Sequence, residues 1–146
     1  MIHPMTPETF MEEYWEKKAV LIRREDAHYY KDFFSSKMFA EMIDRNPLEF
    51  GVNLDVTTWD KKQGRQTHNE IGRAYPPKIW DYFNNGCSVR MKNPQTYSNT
   101  IWKVCAGLQE FFGCFTGANT YLTPPASQGE FKIGFDVFKN FPSQRV

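Results

Sequence analysis

The tightest constraint on the fold lies between Ser98 and Pro125, where a helix signal runs almost directly into a strand signal. Ser98 offers a hydroxyl cap, and Ile101, Val104, Cys105, Leu108 and Phe112 then recur at helical spacing until Gly113, a residue suited to a left-handed helix end. Phe115 to Thr123 reads as a strand, and Pro124 and Pro125 force an extended exit because proline cannot donate to a ladder. The helix has a stripe to bury and the strand has backbone groups to pair, so this stretch alone demands a mixed helix-and-sheet packing.

The rest of the chain repeats that alternation. Thr6, Pro7 and Glu8 form a helix start, with Phe10, Met11, Tyr14 and Trp15 on one face and Glu16 to Lys18 closing it. The apolar run Ala19 to Ile22, ended by Arg23 and Arg24, suits a strand, and His28 precedes a tyrosine pair that reads as helix packing. Ser36 is the expected cap of a second helix carrying Phe39, Met42 and Ile43, stopped at Asn46-Pro47. Val52 to Trp59, the turn residues Asp60 to Gly64 and a polar strand through His68 predict a β-hairpin. Pro76 and Pro77 open a short helix around Ile79, Trp80 and Phe83, and Asn84 to Gly86 end it before a strand from Cys87 to Met91. No repeat, linker or low-complexity stretch divides the 146 residues, so one α+β unit is expected.

Composition narrows the function classes. Thirteen Phe, seven Tyr and four Trp supply large side chains for a core. Eighteen basic against seventeen acidic residues leave a net charge of +1, which gives no electrostatic footprint for nucleic acid or a membrane surface. Cys87, Cys105 and Cys114 form no CxxC pair and no zinc-ligand spacing, and read as reduced, buried thiols of an intracellular protein. No apolar run approaches the roughly 20 residues that span a bilayer, and the N-terminus lacks a basic region followed by an apolar one, so neither insertion nor secretion is expected. His3, His28 and His68 are scattered and show neither an HxD nor an HxxxH pattern, and each reads as structural or solvated.

The segment GANTYLTPPASQG, Gly117 to Gly129, resembles the strand and loop that precede the iron-binding HxD of the ribosomal oxygenase branch of the JmjC proteins. The resemblance extends in order through EYWEKK from Glu13, HYY from His28, NLDVT from Asn53, GRA from Gly72, GCSVR from Gly86, NPQTYS from Asn93 and LQEFFG from Leu108. It covers Ile2 to Gly129, and implies residues 1–129 as the N-terminal part of a JmjC oxygenase domain, with residues 130–146 a divergent tail. Codons for Gly129-Glu130-Phe131 can read through a splice-donor sequence, offering translated intron or an alternative exon as the source of that tail.

The resemblance implies N-terminal helices and a hairpin plus the first strands of an incomplete double-stranded β-helix of cupin type. It implies a bifunctional lysine-specific demethylase and histidyl hydroxylase of the nucleus and nucleolus, acting on a ribosomal protein or histone H3. Its cofactors would be Fe(II), held by two His and one carboxylate, and 2-oxoglutarate. Asn119 and Tyr121 match positions that face the cofactor pocket, where an amide and a phenol can bind 2-oxoglutarate. Alternation alone already puts Asn119, Tyr121 and Thr123 on one side of a strand. The metal ligands do not carry over. Counted without a gap, the family's His falls on Ile133 and its Asp on Phe135, while sliding the register to use Asp136 puts Gly134 where the His belongs. The expectation is therefore part of a dioxygenase that by itself binds neither iron nor 2-oxoglutarate. The alternative is a catalytically inactive truncated or mis-spliced product that acts at most as a binding module.

Overall fold

The computed structural model describes residues 1–26, 28–125 and 127, together with the backbone of the strand Lys132–Val137. Two compact units divide the chain, Met1–Asp32 and Phe33–Val146.

In the first unit, Thr6 caps helix α1 (Pro7–Thr9), its hydroxyl accepting the Thr9 N–H at 3.2 Å. The helix then widens into a π-turn, Phe10–Tyr14, and ends where Trp15 turns extended and Glu16 takes a left-handed φ of 59°. The expected longer amphipathic helix is thus cut short, and none of these residues is buried. Ala19 to Ile22 forms no strand, because no described strand supplies it with a ladder, and Leu21 is 78% exposed. The His28-Tyr29-Tyr30 segment is turn rather than helix. Arg24 organises this unit: its guanidinium donates to the carbonyls of His3, at 2.8 Å, and Met1, at 2.5 Å, and stacks 3.9 Å from the Tyr29 ring centre.

The second unit is built on a five-stranded antiparallel sheet. Its strands are β1 (Leu54–Asp60), β2 (Gly64–Thr67), β3 (Ser88–Lys92), β4 (Thr116–Leu122) and β5 (Lys132–Val137), in the order β2-β1-β3-β4-β5. The hairpin β1–β2 turns as expected: the Asp60 carboxylate accepts the N–H groups of Lys62 and Gln63, at 2.7 and 3.1 Å, and Gly64 supplies a φ of 71°. The α-helices among the unit's described residues are α2 (Ser36–Arg45), α3 (Pro76–Asn84) and α4 (Asn99–Phe112), with a 3-10 turn at Pro94–Thr96. The cap of α2 is Ser35, not Ser36; the Ser35 hydroxyl accepts the Met38 N–H at 3.2 Å and Ser36 is already helical. Ser98 caps α4 and Gly113 ends it at φ 63°, as the sequence predicts. Cross-strand register puts Leu54 opposite Met91 and Val56 opposite Val89, and Met91 opposite Thr120 on the other side. These residues share one core with Phe39 and Ile43 of α2, Ile79 of α3 and Ile101 and Cys105 of α4, so one face of the sheet is apolar and covered by helices. The fold is α+β.

Candidate functional site

Because side chains alternate along a strand, the residues between those core positions belong to the opposite face. Asp55 pairs in register with Arg90, Arg90 with Tyr121, and Lys92 with Asn119. Three neighbouring strands therefore put an acid, two bases, an amide and a phenol on one surface.

The centre of that surface is Asp55, whose side chain is only 9% exposed. One carboxylate oxygen accepts the Asn69 amide at 2.8 Å and lies 3.1 Å from the Lys92 ammonium. The other lies 3.7 Å from both Arg90 and Arg65. Burial works to raise the pKa of Asp55, but the Asn69 amide, the Lys92 ammonium and the Arg90 charge outweigh it and hold the carboxyl below its ordinary range. Asn69 is itself fixed, its carbonyl oxygen accepting the Val56 N–H at 2.9 Å. Lys92 also donates to the Gly51 carbonyl.

Arg90 connects this acid to the two residues predicted from sequence. Its Nη2 donates to Asn119 Oδ1 at 3.1 Å, and its guanidinium carbon lies 5.7 Å from the centre of the Tyr121 ring. Its Nε is buried and has no hydrogen-bond partner among the described residues. Farther along the same edge, the Ser88 and Thr123 hydroxyls meet at 3.0 Å. Asn119, Tyr121 and Arg90 are all half-buried. This arrangement offers hydrogen-bond donors and positive charge to an anionic or carbonyl-bearing ligand.

Other sequence candidates lie elsewhere. His3 and His28 belong to the first unit, and the His68 ring nitrogen lies 2.7 Å from the Thr58 hydroxyl. Among the described residues no three His, Cys, Asp or Glu side chains gather where they could hold a metal ion. Ile133 pairs with Thr120 and Phe135 with Ala118, and both partners are core residues; Gly134 pairs with Asn119 and Asp136 with Gly117. Residues 130, 131 and 138–146 of the tail lie outside the described residues. Cys87 and Cys105 are free and buried, and burial pushes both thiols up, away from reactivity; Cys114 is half-buried.

Sequence reading missed Asp55, Arg90, Lys92 and Asn69 as members of the surface. A signal was present: a lone acid inside the apolar strand LDVT and two bases alternating with apolar residues in SVRMK mark polar positions that a sheet must pair.

Three relatives are informative. Ribosomal oxygenase 1 of Danio rerio is 46% identical over 144 residues, which is 99% of this chain and 26% of the relative. The bifunctional lysine-specific demethylase and histidyl-hydroxylase NO66 of Branchiostoma floridae is 50% identical over the same share of this chain and 23% of its own length. Its counterpart in Drosophila mojavensis is 49% identical, the match spanning 16% of that relative. The chain thus spans about a quarter or less of the curated relatives it matches. An aligned span of 144 in 146 residues also runs past Gly129 into residues 130–146. No protein-family model matches the chain.

Proposed function

We propose that this chain, a member of the ribosomal oxygenase family, supplies the first strands of the double-stranded β-helix of an Fe(II)- and 2-oxoglutarate-dependent dioxygenase. Asn119 and Tyr121 bind 2-oxoglutarate, the amide and phenol acting as donors to its oxygens. The observation that carries this reading is their shared polar face, where Arg90 touches both. A dicarboxylate fits that chemistry, since Arg90 and Lys92 add positive charge beside the two donors. When bound, 2-oxoglutarate supplies the reducing equivalents for hydroxylation. This chain's own residues would hold and orient it.

Iron does not fit the described residues, because no ligand cluster is present among them and neither register of the tail, Ile133 with Phe135 or Gly134 with Asp136, offers the family's His. No metal-centred step is assigned to these residues. The substrate of the complete enzyme is a histidine of a ribosomal protein or a methylated lysine of histone H3, a reading supported by the words ribosomal oxygenase, lysine-specific demethylase and histidyl-hydroxylase in the relatives' names; its place, the nucleus or nucleolus, follows from the family resemblance.

A chimera tests the reading. Residues 1–129 of this chain replace their counterparts in the Branchiostoma relative, and 2-oxoglutarate turnover is followed as succinate. Asn119→Ala and Tyr121→Phe should each raise the KM for 2-oxoglutarate; an unchanged KM in both variants overturns the assignment.

A second reading, a binding module without catalysis, rests on the sequence, in which no HxD occurs among residues 130–146. Succinate formed by this chain alone with Fe(II) and 2-oxoglutarate, and absent without the chain, rules it out.

A further inference from the structure

We infer that Asp55 is a positioning residue for the cofactor face: its buried carboxylate fixes the Arg90 guanidinium and, through it, the Asn119 amide and the Tyr121 ring. The inference rests on the assignment of Asn119 and Tyr121 to 2-oxoglutarate.

A carboxylate taken out of water is stable only when its oxygens are satisfied, and Asp55 meets that condition with groups from three directions. Asn69 approaches from the segment after β2, Arg65 from β2, and Arg90 and Lys92 from β3. Asn69 is anchored to the backbone of β1, so the acid is held on a rigid element and cannot swing to follow a mobile partner.

Arg90 depends on that anchor. Among the described residues its Nε has no partner, and its orientation is set through the two terminal nitrogens, Nη1 facing Asp55 at 3.7 Å and Nη2 bonded to Asn119. Removing the negative charge of Asp55 releases one of the two restraints. The guanidinium is then free to rotate away from Asn119 and from the Tyr121 ring. Lys92, opposite Asn119 in register, loses its carboxylate partner in the same event. Asp55 itself touches neither Asn119 nor Tyr121 in any described hydrogen bond, so its effect on a ligand is indirect.

Side-chain NMR of the isotopically labelled chain tests this. In Asp55→Asn, which keeps the shape of the residue, the Arg90 Nε–H and Asn119 amide resonances should move, and in the chimera with the Branchiostoma relative the KM for 2-oxoglutarate should rise about tenfold. Asp55→Glu should recover part of both effects. Ile43→Val, a mild change in the core, should leave both unchanged. Folded Asp55→Asn protein with unmoved Arg90 and Asn119 resonances overturns the inference. If that variant does not fold, acid titration of the unaltered chain decides: the same resonances should follow protonation of Asp55 while the chain is still folded, and their constancy overturns it. An unchanged KM for 2-oxoglutarate in the Asn119→Ala and Tyr121→Phe chimeras refutes the cofactor assignment instead, and the resonance shifts in Asp55→Asn still judge the coupling between Asp55 and Arg90.

Discussion

The two faces of the sheet are made from the same strands and solve opposite problems. On one face Leu54, Val56, Val89, Met91 and Ala118 are essentially dry and are held by helices whose contribution is area removed from water. On the other, Asp55, Arg90, Lys92, Asn119 and Tyr121 hold one another through charge and hydrogen bonds with defined directions. The difference teaches that the first face tolerates exchange of one apolar side chain for another of similar volume, whereas the second depends on particular atoms.

Breaking the apolar face should cost most. Leu54→Ala, at a fully buried position opposite Met91, should destabilise the chain by about 2–5 kcal/mol in chemical denaturation. Asp55→Ala on the polar face should cost less, about 1–3 kcal/mol, because the stranded cations Arg65, Arg90 and Lys92 are partly exposed and can turn to water. A denaturation midpoint lower for Asp55→Ala than for Leu54→Ala would reverse the proposed division between the faces.

Thr120 sharpens the comparison from within the apolar face. It is fully buried and its hydroxyl has no hydrogen-bond partner among the described residues. Thr120→Val should therefore stabilise by about 1 kcal/mol, read as a higher melting temperature; a loss of stability would mean that the hydroxyl is satisfied in solution.

The smallest effect is one of pH. The folded-state pKa of Asp55 is depressed below its ordinary 3.8, so the stability it contributes is complete above that value. That contribution is lost as pH falls through 3.8 toward the lower folded value. Asp55→Asn should flatten this part of the acid limb of the stability profile, and an unchanged limb would show that other carboxylates dominate it.

Much of the second unit was legible because its punctuation is local. Ser98 and Gly113 bound α4, Pro76 opens α3, and Asp60 to Gly64 turn the hairpin, each by chemistry contained within a few residues. Asn119 and Tyr121 were legible as a pair because strand alternation needs no partner to be read. Asp55 and Arg90 were not, since their meeting depends on the register between β1 and β3, separated by the hairpin and α3. The first unit misled for the converse reason. Ala19 to Ile22 has strand composition, but a strand exists only if another supplies its hydrogen bonds.

Strand β2 has a consequence for how copies of this molecule behave in a crowded solution. It is four residues long, reads Gly-Arg-Gln-Thr, and among the described residues pairs only with β1, so its outer side is an edge of the described sheet. Arg65, half-exposed there, carries a charge that another strand docking edge to edge would have to desolvate. An edge so short and so polar is a poor template for intermolecular β-pairing, and it guards this end of the sheet against self-association.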